Sequence, residues 1–372
     1  MTRLTPAARR RALAIGLPAC AALAPLAGRA HAAAAARRIT DQTGRTVELP
    51  PVVRRIVAIT IPAASMILCV DGGAERLAGM NPASRDDLTA GLLGRMFPAA
   101  MRVPSDVASE NFAPNVEALL AARPDLVVQW GDRGDAIVRP IAAAGLPVLT
   151  LRYGDSALAG DWLRLIGQAL GKAERGDRLA REFDEALADI ARQGRAVPDA
   201  GRPSAVYFQR LRSALVVAGQ GTSMDSDIRR IGARNPAGTL PGFTPINVEQ
   251  LMAWNPDILL LNNFEPGLTP AAVQADSRLA SLRAVRERRV YAFPRGGFRW
   301  DPPSQESPLA LRWLQGVCDP AGPRLDLRAA LVDRYRDWYG HSLSEPEIDG
   351  ILKIADNGGS HRYAEWFGAR RG

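Results

Sequence analysis

Two stretches of the chain share one pattern: residues 115–128 read NVEALLAARPDLVV, and residues 247–260 read NVEQLMAWNPDILL. Each asparagine suits the N-cap of a helix, and the glutamate two positions later suits the electropositive first turn. The proline ends the helix ahead of an apolar strand. A helix–strand unit that occurs twice predicts two similar α/β lobes, and a coincidence between two common α/β connections is the alternative.

Residues 156–195 separate the two units and contain no proline. Apolar side chains recur there at spacings of three and four, which is the period of a helix face. They are Trp162, Leu165, Ile166, Leu170, Leu179, Phe183, Leu187 and Ile190. This stripe predicts one long helix, or two helices stacked end to end. Outside it, strands alternate with helices, which predicts mainly parallel sheets covered on both faces.

The composition is that of a folded globular chain. The 372 residues are 47% hydrophobic, which allows two or three domains with a sizeable core. The net charge of +8 is concentrated near the start, because residues 1–32 hold five arginines and no acid. The remaining 42 basic and 39 acidic residues nearly balance, and no basic run is interleaved with aromatics. We therefore expect no nucleic-acid partner.

The first 32 residues have the three parts of an export signal. A basic segment ending in Arg9-Arg10-Arg11 precedes an apolar stretch, and Ala30-His31-Ala32 is a cleavage motif. We expect cleavage near Ala32 and a periplasmic location. Export by the general or the twin-arginine route stays open, and a lipid anchor at Cys20 is the alternative to cleavage.

Two cysteines remain after such a cleavage, Cys69 and Cys318. A disulfide is one reading in an oxidising compartment. Two buried thiols that pack as small apolar side chains are the reading we favour.

Common catalytic motifs are missing from the sequence. It has no phosphate-binding P-loop and no G-x-S-x-G elbow, and no histidine lies between residues 33 and 340. A multi-histidine metal site and a Ser-His-Asp triad are therefore excluded there. We predict a binding protein with no cofactor, no metal ligands and no catalytic residues. An exported hydrolase that uses two carboxylates is the rival hypothesis.

Several segments together carry a family resemblance. They are residues 55–77 (RIVAITIPAASMILCVDGGAERL), the two repeated units, residues 221–238 and residues 289–317. In this order and spacing they resemble the periplasmic iron-chelate/cobalamin class of ABC-transporter substrate-binding proteins. The resemblance implies an α/β fold of two similar lobes bridged by one long helix, with the ligand cleft between the lobes. It also implies an ABC permease and its ATPase as partners of a monomer.

The resemblance divides the chain into five parts. We expect a signal peptide at 1–32, an N-terminal lobe at 33–154, a bridging helix at 155–197, a C-terminal lobe at 198–340, and a C-terminal helix and tail at 341–372. The expected ligand is a metal chelate, with a ferric siderophore or haem as first choice. A nickel or cobalt chelate, or a corrinoid, is the alternative.

Ligand-binding residues in such a fold come from loops beyond the strand ends that face the cleft. The candidates are Trp130, Arg152, Tyr153, Arg210, Arg212, Asn263, Arg295, Phe298, Arg299 and Trp300. Arginine offers a planar fork of donors to carboxylate or catecholate oxygens, and the rings supply flat apolar walls. We therefore expect an anionic guest.

The family carries an acidic residue on each lobe that docks permease arginines. In this chain Met66 and Ser226 stand at those positions. The resemblance therefore shifts the predicted docking contacts to neighbouring acids, which are Glu75, Asp225 and Asp227.

Overall fold

The computed structural model describes residues 36–319 and 325–369. The predicted signal peptide, its cleavage site and Cys20 lie outside the described residues. Within the described ranges, every helix is too short or too polar to cross a membrane.

The secondary structure alternates between strands and helices along most of the chain. The strands are β1 (Arg37–Thr40), β2 (Thr46–Leu49), β3 (Ile56–Ala58), β4 (Leu77–Met80), β5 (Leu126–Trp130), β6 (Val148–Leu151), β7 (Ala205–Arg210), β8 (Val216–Ala218), β9 (Phe243–Pro245), β10 (Ile258–Leu261) and β11 (Val290–Ala292). The α-helices are α1 (Ala63–Asp71), α2 (Pro82–Ala90), α3 (Leu93–Met96), α4 (Val116–Ala122), α5 (Arg139–Ala143), α6 (Ala159–Leu170), α7 (Ala173–Arg195), α8 (Ser223–Arg230), α9 (Val248–Trp254), α10 (Pro270–Gln274), α11 (Arg283–Arg286), α12 (Ser307–Cys318), α13 (Leu327–Tyr339), α14 (Glu345–Ile351), α15 (Ile354–Asn357) and α16 (Tyr363–Phe367).

The first lobe is built on a parallel sheet of four strands in the order β4-β3-β5-β6. An antiparallel hairpin, β1-β2, precedes it, and Gly44 in its turn has a φ of 84°. All residues of β3, β5 and β6 are buried, as expected for a sheet with helices on both faces.

The second lobe contains a mixed sheet in the order β11-β10-β7-β8-β9. Strand β10 runs parallel to both β7 and β11, whereas β8 is antiparallel to β7 and to β9. The short connection between β7 and β8 explains the change, since parallel neighbours need a much longer crossover. Each lobe thus presents the carboxyl ends of its parallel strands along one edge.

One long helix bridges the lobes, as predicted, but the 156–195 segment as a whole differs from its predicted form. It is neither one helix nor two helices stacked end to end, because the chain reverses at Gly171, whose φ is 71°. Helices α6 and α7 pack side by side, and Arg164 on α6 forms an ion pair with Asp184 on α7 at 2.5 Å. A Cβ atom on Gly167 would lie 2.7 Å from the Cα of Gly176, so two glycines permit this close approach.

Helix α7, with 23 residues, is the long helix that joins the lobes. Its first half packs on α6, and near its end Gly194 lies against the backbone of Ile231 and Gly232 in the second lobe. Helices α12 and α13 return from the second lobe and pack against α7 and α1 respectively. Cys69 and Cys318 are buried free thiols, so the prediction of two unpaired cysteines is confirmed.

Candidate ligand-binding cleft

An inner cavity of about 200 Å³ lies between the lobes. From the first lobe it is lined by residues that follow β3, β5 and β6, and from the second lobe by residues of β7, α8 and β9. Ligand sites in open α/β sheets form beyond the carboxyl ends of strands, which is where this cavity lies. It is the best-placed candidate for the ligand site.

Four aromatic side chains cluster on the first-lobe side of the inner cavity. The ring of Trp130 makes edge contacts with Tyr153, Trp162 and Phe112, at centroid separations of 5.4, 5.5 and 6.3 Å. Such edge-to-face pairs fix one another's orientation. The cluster gives the cavity a rigid apolar wall.

Arg133 lies beside this wall and is held by two rings. Its guanidinium carbon lies 4.7 Å from the ring centre of Tyr153 and 5.3 Å from that of Phe112. Phe112 has a φ of 68°, a left-handed conformation that is strained for an aromatic residue. Gln129 donates a hydrogen bond of 2.9 Å to the carbonyl of Phe112 and helps to hold that turn.

Two helices begin at the inner cavity, one from each lobe. Ile61 and Pro62, which line the cavity, lead directly into α1. Ser223, which also lines it, is the first residue of α8, and its neighbour Thr222 caps that helix. The N-terminal end of a helix carries partial positive charge and free N–H groups, so both ends favour an anion.

Arg299 borders the inner cavity from the second lobe and is nearly buried. Its Nε lies 3.2 Å from Oδ2 of Asp87 and 3.5 Å from Oδ1 of Asp301. The other oxygen of Asp301 accepts a hydrogen bond of 2.8 Å from Tyr207. Burial raises the pKa of Asp87 to about 6, although the charge of Arg299 acts in the opposite direction. The pair with Asp87 connects the two lobes beside the cavity.

A larger, open groove of about 1320 Å³ adjoins the other side of Arg299. Phe264 lies between two guanidinium groups there, 4.8 Å from that of Arg210 and 4.7 Å from that of Arg299. Arg295 donates to the carbonyl of Asn263 at 2.5 Å, and Asn263 donates to the carbonyl of Pro294 at 2.7 Å.

Within the described residues, no group of three or more His, Cys, Asp or Glu side chains is placed to hold a metal ion.

Six of the ten predicted ligand-binding residues line one of these two spaces. Trp130, Tyr153 and Arg299 line the inner cavity, and Arg210, Asn263, Arg295 and again Arg299 line the groove. The sequence interpretation missed Phe112, Arg133 and Trp162. Arg133 follows β5 by three residues and satisfies the strand-end rule, whereas Phe112 and Trp162 carry no such signal.

The other four predicted residues line neither of these two spaces. Phe298 is fully buried, and Trp300 is buried with its Nε1–H donating to Glu306 at 2.7 Å. Arg152 is exposed beside the cavity without lining it. Arg212 is exposed and donates to the carbonyl of Pro266 at 3.2 Å.

The carboxylate of Glu306 explains why the ring of Trp300 is turned into the core. Its carboxylate is fully buried and accepts hydrogen bonds from Trp300, Tyr335, Tyr339 and the backbone N–H of Gly297. Burial raises the pKa of Glu306 to about 7 in spite of these donors. The carboxylate thereby anchors the loop that carries Arg295 and Arg299.

The same loop also fastens the second lobe to the first. The carbonyls of Gly296 and Gly297 accept hydrogen bonds from the backbone N–H groups of Leu92 and Leu93, at 3.0 and 3.2 Å. A Cβ on Gly91 would lie 2.4 Å from the carbonyl oxygen of Gly297, so a glycine is needed at this approach.

The predicted docking acids differ in exposure. Glu75 is exposed at the surface of the first lobe. Asp225 is buried and bonded to Asn235 and Arg229, and Asp227 is buried and accepts a hydrogen bond of 3.0 Å from Ser156. Burial raises the pKa of Asp227 to about 7, opposed by Arg230. The carboxylates of Asp225 and Asp227 therefore make internal contacts, whereas Glu75 is open to a partner, and the docking role of all three stays a prediction.

Known proteins resemble this chain in sequence and in fold. The family model described as periplasmic binding protein matches residues 107–295, just over half of the chain. The molybdate-binding protein MolA of Haemophilus influenzae is 24% identical over 340 residues, which cover 84% of this chain and 94% of that protein. The ferric enterobactin-binding periplasmic protein FepB of Escherichia coli is 26% identical over 294 residues, which cover 71% of this chain and 86% of that protein.

A solved periplasmic solute-binding protein from Veillonella parvula superposes with a TM-score of 0.80 at 28% identity, covering 87% of this chain and 99% of that one. These relatives are periplasmic binding proteins. Such proteins work with the permease and the ATPase of an ABC importer. None of these relatives is a hydrolase, so they give no support to the hydrolase hypothesis. The chain belongs to the periplasmic binding protein family and is a substrate-binding protein of the ABC-importer type, not an enzyme.

Proposed function

We propose that this protein captures an anionic metal species and delivers it to an ABC permease and its ATPase. The observation that carries the proposal is the set of positive groups at the inner cavity, of which Arg299 is already paired with Asp87 and Asp301 and Arg133 is held only by aromatic rings. Arg133, Arg299 and the starts of α1 and α8 converge there on an aromatic wall. Charge-assisted hydrogen bonds from such groups hold oxygen anions strongly.

The volume of the inner cavity decides which of the candidate ligands ranks first. Pockets that bury a drug-sized ligand measure about 300–1,000 Å³. The inner cavity, at about 200 Å³, suits a smaller guest. A tetrahedral oxometalate such as molybdate therefore takes first place, ahead of the ferric siderophore or haem expected from the sequence. The likeness to a molybdate-binding relative supports this order.

A ferric siderophore or haem is the second candidate, and the outer groove favours it. The groove is several times larger and combines Arg210, Arg295 and Arg299 with the ring of Phe264. A relative that binds ferric enterobactin supports this alternative. A nickel or cobalt chelate, or a corrinoid, would occupy the same groove.

We further propose that the protein is exported and acts as a periplasmic monomer. The leader at 1–32 supports cleavage near Ala32, and periplasmic relatives support the location. In this proposal lobes at 33–154 and 198–340 are bridged by residues 155–197. Residues 341–372, predicted as one helix and a tail, are the C-terminal segment, and its described part holds three short helices, α14, α15 and α16. Glu75 is the docking acid that the structure leaves exposed.

Titration with a ligand panel tests the proposal. The panel contains molybdate, tungstate, sulfate, a ferric catecholate, a ferric hydroxamate and haem, each followed by calorimetry and tryptophan fluorescence. We expect molybdate or tungstate to bind, and Arg133→Gln to weaken that binding at least tenfold, since a charge-assisted hydrogen bond contributes about 1.5–3 kcal/mol. Arg139→Gln, which removes an exposed first-lobe arginine outside the cavity, is the matched control.

The variant Arg210→Gln separates the two candidates. It changes the groove but leaves the inner cavity intact, so it weakens a chelate and spares an oxometalate. Binding of a chelate that responds to Arg210→Gln and not to Arg133→Gln would place the second candidate first. A panel in which every member leaves heat and fluorescence unchanged would refute an anionic metal ligand.

A further inference from the structure

Asp87 is a buried carboxylate whose charge depends on Arg299. It lies on α2 of the first lobe, is 5% exposed and borders the outer groove. In the described part of the chain no hydrogen bond reaches its carboxylate, and its closest ion pair is the one with Nε of Arg299 at 3.2 Å. An opposite charge at this distance favours the ionised form of a buried acid.

The other buried acids of the described residues are held differently. Each accepts at least one hydrogen bond on its carboxylate, as Asp41 does from the hydroxyl of Thr43 at 2.8 Å. A buried acid without such donors has less to stabilise its charge when its cation turns to another anion. The acids that accept hydrogen bonds are Asp41, Asp225, Asp227, Asp301 and Glu306.

Arg299 lies between two acids and between two spaces. Asp87 lines the outer groove, Asp301 lines the inner cavity, and Arg299 lines both. Its Nε faces the two carboxylates, whereas neither of its Nη groups donates a hydrogen bond to any described residue. An anion that binds these Nη groups therefore shares its cation with Asp87.

We infer that Asp87 couples ligand capture to proton uptake: an anion that binds Arg299 repels the carboxylate of Asp87, which takes up a proton and leaves Arg299 to the ligand. The inference rests on the proposed function, since it assumes an anionic ligand at Arg299. The proton comes from solvent and forms an O–H bond on Asp87, while the bonds within the ligand stay unchanged. Asp87 acts on the ligand through Arg299 and is a positioning residue.

The surroundings of Asp87 bring its titration close to neutral pH. Burial raises the pKa of Asp87 to about 6, although the charge of Arg299 opposes this rise. A bound anion acts in the same direction as burial, because like charges disfavour ionisation. Helix α1, which also packs on α2, has no charged side chain before Asp71. The charged groups on the other elements around Asp87 are Arg295, Arg299 and Asp301 in the loop after β11, Asp86 on α2, Arg95 on α3 and Arg102 in the turn after α3.

The pH dependence of molybdate binding tests the inference. If binding raises the pKa of Asp87 by about 1, the Kd of the unmodified protein should fall about tenfold as the pH is lowered from about 8.5 to about 5. Calorimetry in two buffers of different ionisation enthalpy should show uptake of about half a proton per molybdate near pH 6.5, and almost none above about pH 8.5. In Asp87→Asn the uptake and the tenfold change should both disappear.

Asp86 provides a matched control on the same helix. It also lines the outer groove, but its side chain is exposed. Asp86→Asn removes the same formal charge, and we expect it to keep the proton uptake and the pH dependence of the unmodified protein.

The outcomes separate this inference from the function on which it rests. If the unmodified protein binds neither molybdate nor tungstate at any pH, the proposed oxometalate function fails and the inference fails with it. If molybdate binds with a Kd that is constant with pH and without proton uptake, the role of Asp87 is overturned while the function stands. The same conclusion follows if Asp87→Asn keeps the pH dependence of the unmodified protein.

Discussion

The two repeated units, 115–128 in the first lobe and 247–260 in the second, fold in the same way. Asn115 accepts a hydrogen bond from the backbone N–H of Ala118 at 3.3 Å, and Asn247 accepts one from Gln250 at 2.8 Å. Each helix then ends at a left-handed residue before the proline. The repeated letters thus encode a helix with both of its ends defined.

The aspartate of each unit fixes the neighbouring strand. Asp125 accepts from the backbone N–H groups of Arg54 and Arg55, just ahead of β3, at 2.6 and 3.0 Å. Asp257 accepts from the N–H and the hydroxyl of Ser204, just ahead of β7, both at 2.8 Å. The same residue therefore aligns the same pair of strands in both lobes.

The units differ where their strands end. Strand β5 leads to Trp130 and Arg133 at the inner cavity, whereas β10 leads to Asn263 and Phe264 at the outer groove. The two units share the residues that cap the helix and align the strands. They differ in the residues beyond the strand ends, which are the ones that can contact a ligand. Function in this molecule resides in side chains placed just beyond a repeated framework.

Removal of the two aspartates is the strongest test of this equivalence. We expect Asp257→Ala to lower the free energy of unfolding by about 2 kcal/mol, because the half-buried N–H and hydroxyl of Ser204 lose their acceptor. The lost ion pair with the half-exposed Arg283 adds little. Asp125→Ala should cost about 1 kcal/mol, since water can reach the N–H groups of Arg54 and Arg55. Urea denaturation measures both values.

The pH dependence of the stability lost in Asp257→Ala tests whether the charge of the aspartate causes the loss. Burial by itself raises the pKa of Asp257, but hydrogen bonds from Ser204 and the charge of Arg283 outweigh it and hold the pKa below its usual value. The stabilisation is then complete at neutral pH and is lost as the pH falls through the lowered pKa. The free energies of unfolding of the wild type and Asp257→Ala, plotted against pH, should converge in acid. A difference that stays constant with pH would contradict a stabilisation that depends on the charge of Asp257.

The repeat shows how far sequence reasoning reaches in this protein. Capping asparagines, the proline stop and the apolar runs are local signals, so the strands and both units could be predicted. The same local rule selected Trp130, Tyr153 and Arg299, which line the inner cavity, and their role in ligand binding stays a prediction. The reversal at Gly171 was missed, because the close packing of Gly167 on Gly176 is a contact between helices that spacing does not reveal.

The site residues that were missed depend on tertiary contacts. Trp162 lies on the apolar stripe of α6, so its spacing indicates core packing and hides its place at the cavity. Phe112 reaches the cavity through a strained turn held by Gln129. Phe298 and Trp300 were expected at the ligand, but the buried carboxylate of Glu306 draws Trp300 and its loop inward.

Removal of the N-cap asparagines, Asn115 and Asn247, compares the two units through a smaller loss of stability. Asn247→Ala should destabilise the protein by about 1 kcal/mol, the usual loss for an N-cap. Asn115→Ala should cost about half as much, because its capping bond is longer, 3.3 Å against 2.8 Å. Denaturation midpoints of the two variants provide the measurement. A larger loss for Asn115→Ala would show that the first-lobe helix depends on its cap more than its geometry indicates.

The smallest expected effect concerns the left-handed residues at which the two helices end. Arg123 has a φ of 45° and is exposed, so Arg123→Gly should relieve strain and stabilise the protein by up to about 1 kcal/mol. Asn255 has a φ of 40°, but its side chain also accepts a hydrogen bond of 2.9 Å from the N–H of Arg283. Asn255→Gly loses that bond, so we expect no gain, or a loss of about 0.5–1 kcal/mol. Scanning calorimetry of the pair decides whether the two ends are equivalent: a stabilised Asn255→Gly would mean that backbone strain governs both units, and that the bond to Arg283 contributes little.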